Sequence, residues 1–136
     1  MERKGKHLEF IQGTVNRLST NSFLLKGWSV VLVSALFALA AADFSRYFIH
    51  LAYFPAVAFW ILDGYFLWQE RLFRRLYDHV RSLEEEEIDF SMDTSPWVAE
   101  TTSWASACGS KTLVIFHGAV LATVVIVTLL ALDLVG

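Results

Sequence analysis

The chain has 136 residues, enough for one domain, and 55% of them are apolar whereas only 18% are charged. An ordinary soluble domain carries roughly 25% charged residues, and here the charges are clustered, so long uncharged stretches remain. The single cysteine, Cys108, excludes an intrachain disulfide, and no pair of Cys or His residues has metal-ligand spacing. We therefore expect no disulfide framework, no metal and no other cofactor.

Three segments are long and apolar enough to cross a bilayer, since about 20 helical residues span a hydrocarbon core of ~30 Å. They cover residues 23–42, 47–68 and 112–132. Lipid offers no partner for backbone polar groups, so each segment must be helical. We predict an all-α integral membrane bundle, a single membrane domain of residues 1–136, with a tight hairpin at Asp43–Arg46 and a long link at 69–111. The alternative is a soluble buried hairpin, which would lack the polar surface to cover three such helices.

Basic residues are distributed unevenly around these segments. Only Arg46 lies on one side of the predicted spans, whereas the other ten lie opposite: Arg3, Lys4, Lys6, Arg17, Lys26, Arg71, Arg74, Arg75, Arg81 and Lys111. Positively charged flanks stay in the cytoplasm during insertion. Because the first 20 residues contain no apolar h-region, we expect no cleavable signal peptide. We expect a membrane protein with its N-terminus in the cytoplasm and its C-terminus outside.

The N-terminal segment Leu8–Leu18 has the pattern of an amphipathic helix, with Leu8, Ile11, Val15 and Leu18 on one face. The polar run 19–22 predicts a break and an N-cap for the first span. Two interpretations of the amphipathic helix remain open. It lies on anionic lipid at the interface, or it packs on the protein's own cytoplasmic helices.

The second span is expected to continue as a helix into the cytoplasm, because residues 69–80 contain no Gly or Pro. An apolar stripe follows this extension, and an exposed stripe needs a partner. We therefore expect self-association. Pro55 should kink the span. The polar face of the extension is a predicted interaction surface of Glu70, Arg71, Arg74, Arg75 and His79.

The long link is acidic. Residues 82–111 contain seven acidic residues and one lysine, and four of the acids form the run Glu84–Glu87. One interpretation is a solvated loop, and the other is a docking surface for a basic protein. Repulsion disfavours direct nucleic-acid binding. Trp97 and Trp104 follow Pro96 and predict a short helix that returns the chain to the membrane interface.

Asp63 is the most informative polar residue, because a charged carboxylate inside a span costs ~2.5–3.5 kcal/mol on insertion scales and should face a partner or water. Lys26 begins the first span at a similar depth and is the expected partner, and Gly64 permits close helix approach. The pair either holds the hairpin together or takes part in gating or conduction. His50 and His117 are further intramembrane candidates for a proton relay through Asp63, although their predicted depths differ.

Enzymatic activity is not expected from this sequence. It contains no Gly-rich phosphate loop, no nucleophile elbow and no paired carboxylates in a plausible pocket. Arg74 and His79 have the R-x4-H spacing of HEPN ribonucleases, but residues five apart on a helix point in different directions. This geometry disfavours nuclease activity.

Two stretches, 21–40 (NSFLLKGWSVVLVSALFALA) and 53–81 (YFPAVAFWILDGYFLWQERLFRRLYDHVR), resemble small accessory membrane proteins of prokaryotic anti-phage defence loci. The two stretches are similar to the membrane accessories of RADAR and type VI-B CRISPR loci and, more distantly, to the SLATT group. The resemblance implies a non-enzymatic, oligomeric membrane subunit that permeabilises the membrane or anchors and regulates a cytoplasmic effector. An unrelated small ion channel or transporter that uses Asp63 is the alternative. The likeness is carried by Lys26, Gly27, Trp28, Asp63, Gly64, Glu70, Arg71 and Arg74.

Overall fold

A computed structural model describes residues 2–43 and 46–135. Within these ranges the helices are α1 (Glu2–Asp43), α2 (Arg46–Leu51), α3 (Tyr53–Ser82), α4 (Trp104–Cys108) and α5 (Lys111–Val135). Three helical stretches, namely α1, α2 with α3, and α5, are long and apolar enough to cross a membrane. The predicted all-α fold with three membrane-spanning helices is therefore confirmed. Phe44 and Ser45 of the predicted hairpin loop lie outside the described residues.

Helix α1 is continuous, so the predicted break at residues 19–22 is wrong. Its 42 residues would measure about 63 Å at 1.5 Å per residue, twice the ~30 Å of a hydrocarbon core. Part of α1 must therefore extend beyond the bilayer. Ile11 and Val15 on one side of the polar run and Leu25 on the other are all buried. This packing keeps one helical register through a sequence that resembles a cap.

The second span is interrupted at Ala52, as expected from Pro55. Proline has no backbone N–H to offer the carbonyl four residues earlier, so α2 ends at Leu51 and the chain makes one turn. The Ala52 amide donates to the Ile49 carbonyl oxygen at 3.1 Å, and the Ala56 amide resumes the helix by donating to the Ala52 oxygen at 3.2 Å. Helix α3 then continues to Ser82, which confirms the predicted extension beyond the span.

At the charged end of the bundle, called the polar end (residues 2–20 and 69–110), the apolar stripe of α3 is covered by the chain itself. Leu76 and Val80 form a buried cluster with Ile11, Val15 and Ile88. Of the two interpretations of the amphipathic segment, packing on the protein's own helices is the one observed. Because this stripe is already buried, it gives no reason to expect self-association.

The acidic link is tied to the start of α1. The Glu85 carboxylate accepts hydrogen bonds from the amides of Arg3, at 2.7 Å, and Lys4, at 3.3 Å. These are orphan N–H groups of a helix N-terminus, where negative charge is favourable. The Arg3 guanidinium donates to the Ile88 carbonyl oxygen at 2.8 Å. Residues 85–88 are therefore docked on α1 rather than forming a freely solvated loop.

The link then returns to the spans through α4, which confirms the predicted short helix. The Ser103 side chain caps it by accepting from the Ser106 amide. The Trp104 ring stacks on Trp68 with 6.4 Å between ring centroids, and its Nε1 donates to the Ile61 carbonyl oxygen at 3.0 Å. These contacts fix α4 beside the middle of α3.

The three spans meet through small side chains toward the hairpin. Val33, Ala52, Ala56 and Val124 form a buried apolar layer there. Beyond it, the Tyr53 hydroxyl lies 2.8 Å from Thr128 Oγ1. We call this layer the apolar layer, and the part of the bundle that contains it the membrane half.

Candidate functional site

The candidate site is the Asp63 carboxylate, which has no exposed surface although it lies in the apolar part of α3. Its Oδ2 atom is 2.6 Å from Lys26 Nζ of α1 and 2.7 Å from His117 Nε2 of α5. The Ser22 hydroxyl donates to Oδ1. One carboxylate therefore binds polar groups from both of the other spans. We call Ser22, Lys26, Asp63 and His117 the charge cluster.

Helix α1 supplies two members of the cluster from one face, because residues four apart lie one above the other. Lys26 Nζ donates to Ser22 Oγ at 2.8 Å as well as contacting Asp63. The Lys26 side chain keeps 18% of its surface exposed, as expected of a lysine whose stem is buried and whose ammonium lies near the polar end. The structure contains the Lys26–Asp63 pair expected from the sequence.

Helix α5 supplies His117, whose side chain is also fully buried. A carboxylate that already accepts from Lys26 and Ser22 can only accept again, so His117 Nε2 carries a proton and donates to it. The imidazole stacks on the Trp60 ring with centroids 5.9 Å apart and planes at 14°. Trp60 is fixed in turn, since its Nε1 donates to the Cys108 carbonyl oxygen at 2.8 Å.

Gly64 allows α4 to close over the cluster. A Cβ atom at this position would collide with the Cys108 sulfur and lie 3.2 Å from the Cys108 Cα atom. The expected role of Gly64 in close approach is therefore observed, but its neighbour is α4 rather than another span. Burial, together with the nearby Asp63 charge, raises the pKa of the Cys108 thiol, because both disfavour the thiolate.

Two buried polar atoms near the cluster have no hydrogen-bond partner within the described part of the chain. They are the Ser29 hydroxyl, one turn of α1 beyond Lys26, and Nδ1 of His117. Buried polar groups are nearly always paired, so each exception calls for an explanation. On the hairpin side, the apolar layer closes the bundle.

Other predicted site residues lie away from the charge cluster. His50 is exposed near the hairpin and lines a shallow recess with Arg46 and Thr128, so a relay that includes it has no support. On the α3 extension, Arg74 pairs with Glu70 at 3.0 Å. Arg71 donates to Thr102 Oγ1 at 2.8 Å.

The other two residues of that predicted surface, Arg75 and His79, do not share a contact. Arg75 is exposed, whereas the His79 ring lies 5.1 Å from the Trp97 ring. Arg74 and His79 thus contact different neighbours and do not form one site. The surface predicted from the α3 extension is a set of separate local contacts rather than a single constellation.

Two residues that build the site, and one buried histidine elsewhere, were not expected from the sequence. At the site, Ser22 was assigned to a helix cap, and Trp60 carries no polar signal beyond its ring nitrogen. His7 lies at the polar end, fully buried, with Nε2 2.8 Å from the Ser91 carbonyl oxygen. Its position on the apolar face of the N-terminal helix, four residues before Ile11, is the signal that could have identified it.

The cluster combines a carboxylate, an ammonium and an imidazole, so it can exchange protons and hold helices together. Among residues 2–43 and 46–135, no three His, Cys, Asp or Glu side chains are grouped so that they could bind a metal ion. Comparison with protein-family models, curated proteins and solved structures gave no match. We therefore infer function from the geometry of the cluster and from the resemblance described above.

Proposed function

We propose that the chain is a non-enzymatic, oligomeric accessory subunit that permeabilises the bilayer, with Asp63 holding the three spans in a closed arrangement. The observation that carries this proposal is a fully buried carboxylate bonded to both other spans. Ionisable groups in spans are costly and mark ion or proton pathways by default.

The apolar layer explains why the closed arrangement is a resting state. Val33, Ala56 and Val124 pack together, about two helical turns from the cluster on the hairpin side, and a dry apolar constriction opposes the passage of ions. A conducting path would form between copies once the spans separate. The exposed apolar faces of the spans are compatible with contact to lipid or to neighbouring copies.

The proposed setting is the bacterial inner membrane, with the polar end in the cytoplasm. The distribution of Lys and Arg supports this orientation. The resemblance of residues 21–40 and 53–81 to accessory membrane proteins supports a role in anti-phage defence. In that role the subunit would act with a cytoplasmic effector.

Ion flux in liposomes tests the proposal. We expect Asp63→Asn to raise potassium and proton flux at neutral pH at least about tenfold over the parent, because the carboxylate that binds α1 and α5 to α3 is lost. Asp133→Asn makes the same change at an exposed position near the end of α5 and should leave flux unchanged. If neither parent nor Asp63→Asn exceeds protein-free liposomes, permeabilisation is wrong.

A second candidate is a membrane anchor for a soluble effector, favoured by the charges of the polar end. Glu84, Glu86 and Glu87 remain exposed after Glu85 has bound α1. An exposed acidic surface suits a basic protein partner. Two results together would favour the anchor. Neither the parent nor Asp63→Asn would raise ion flux through liposomes, and replacing these three residues by glutamine would abolish recruitment of the effector.

A further inference from the structure

Nδ1 of His117 is a buried nitrogen without a hydrogen-bond partner among the described residues, on a ring whose other nitrogen is bound to Asp63. We propose that Nδ1 of His117 is a proton-binding site reached from the polar end, and that proton binding there releases Lys26 from Asp63. The consequence for permeability rests on the proposed function, whereas the proton site itself does not.

The hydrogen-bond network leaves Nδ1 as the atom that gains the proton. Nε2 donates to Oδ2 of Asp63 at 2.7 Å, so in the neutral imidazole Nδ1 carries the free lone pair. A proton from water adds to this lone pair and no other bond has to break. The buried Ser29 hydroxyl of α1 also has no hydrogen-bond partner among the described residues, and an internal water is the usual partner of such a group.

Trp60 favours the charged form of the ring. Its indole is stacked on the imidazole with 5.9 Å between centroids, within the ~6 Å range in which a cation over an aromatic face is attracted. The hydrogen bond from Trp60 Nε1 to the Cys108 carbonyl oxygen holds the indole in this orientation. The stack thus offsets part of the cost of a buried imidazolium.

Proton binding sets two cations in competition for one oxygen. Lys26 Nζ and His117 Nε2 both contact Oδ2 of Asp63. His117 is fully buried and fixed by its stack, whereas Lys26 has a flexible stem and is 18% exposed. The ammonium is therefore the partner that leaves, toward the polar end, and its departure weakens the contact of α1 with α3.

The groups that face His117 from the other helices are few. They are Ser22 and Lys26 from α1, Asp63 from α3, and the Cys108 thiol from α4, which contacts Gly64 beside Asp63. Lys111 of α5 itself is exposed. The net charge of the cluster thus rises from zero to one when the imidazole is protonated.

The partly exposed members of the charge cluster are Ser22 and Lys26 of α1. The apolar layer lies on the hairpin side of the cluster, together with the contact between Tyr53 and Thr128. A proton can therefore reach His117 from the polar end without crossing the bundle. This arrangement describes a sensor of pH on that side rather than a proton conduit through one chain.

The test is 15N NMR of histidine-labelled protein in bilayers, recorded between about pH 4 and pH 9, a range centred on the ordinary titration of histidine. The chain has four histidines, and replacing His7, His50 and His79 one at a time assigns the fourth without altering it. We expect His117 to gain its proton on Nδ1 within this range. A ring that keeps one protonation state throughout overturns the proposal.

Two variants test the competition. Lys26→Met removes the competing ammonium and Asp63→Asn removes the carboxylate for which the two cations compete, so acidification should change the flux of neither variant. Asp133→Asn should respond to acidification as the parent does. A response that survives in Lys26→Met contradicts the proposed competition.

Flux measured on the same samples separates this proposal from the proposed function. We expect acidification on the polar-end side to raise flux through the parent and to have no effect on Asp63→Asn. A normal titration with no flux at any pH refutes permeabilisation and leaves the proton site standing. Flux that is independent of pH, with a silent His117, refutes the proton site alone.

Discussion

The polar end and the membrane half are held together by different means. At the polar end the buried cluster combines three large aliphatic side chains, Ile11, Leu76 and Ile88, with Val15 and Val80. In the membrane half the corresponding cluster has smaller side chains on average, with two alanines and two valines. The charge cluster lies between these two regions.

The difference follows from the solvent around each region. Water drives large apolar side chains together at the polar end. Lipid is as apolar as leucine, so helices in a membrane associate through close packing of small residues and through polar contacts. Asp63, Lys26 and His117 supply charged contacts, and Tyr53 with Thr128 adds a polar contact between α3 and α5. We conclude that, among the described residues, the charged contacts between the three spans are concentrated in one buried site.

The largest effect is expected from breaking the buried ion pair. Lys26→Met or Asp63→Leu alone should lower the free energy of unfolding by about 3–5 kcal/mol, because one charge remains buried without its partner. The double variant should recover about 1–3 kcal/mol of the summed loss. The measurement is reversible unfolding in mixed micelles.

The matched control is the Glu70–Arg74 pair, which has a similar distance of 3.0 Å but an Arg74 side chain that is 61% exposed. A double-variant cycle on Glu70→Leu and Arg74→Met should give a coupling of about 0.3–0.5 kcal/mol, as for other helix-surface pairs. Equal coupling energies for the two pairs would contradict a special role for the charge cluster.

A matched pair of valines tests the comparison of the two solvents. Val80 at the polar end is 1% exposed and Val124 in the membrane half is fully buried. Val80→Ala should cost about 2 kcal/mol, from lost burial plus a cavity. Val124→Ala should cost about half of that, because only packing is lost in lipid. Hydrogen exchange of the neighbouring amides measures both, and a larger cost at Val124 would reverse the conclusion.

The features that could be predicted from the sequence are those that depend on a single helix or on a short connection between two helices. The three spans follow from uncharged length, and the break near Pro55 follows from its missing amide hydrogen. The Lys26–Asp63 contact could be expected because a short hairpin fixes the relative depth of the first two spans. Each of these inferences uses local chemistry or a short connection.

The remaining features depend on how the helices are aligned with one another, which the local sequence does not determine. Helix α5 follows a link of about 40 residues, so counting residues gave His117 a depth unlike that of His50 but could not align it with Asp63. The break expected at residues 19–22 was wrong because polar residues suit both a cap and an exposed helix face. Packing of α1 on α3 decides between the two.

The smallest effect concerns the Cys108 thiol, which lies beside Gly64 at the edge of the charge cluster. Burial and the Asp63 charge raise its pKa. The neutral thiol therefore contributes to the stability of the fold below the ordinary thiol pKa, and this contribution is lost as pH rises through the raised value. Because the thiolate is the reactive form, alkylation by iodoacetamide at pH 8 should be about tenfold slower than at an exposed cysteine. Ser106→Cys in a Cys108→Ser background supplies that cysteine on the same short helix, at an exposed position. Equal alkylation rates would show that α4 does not close over the cluster as described.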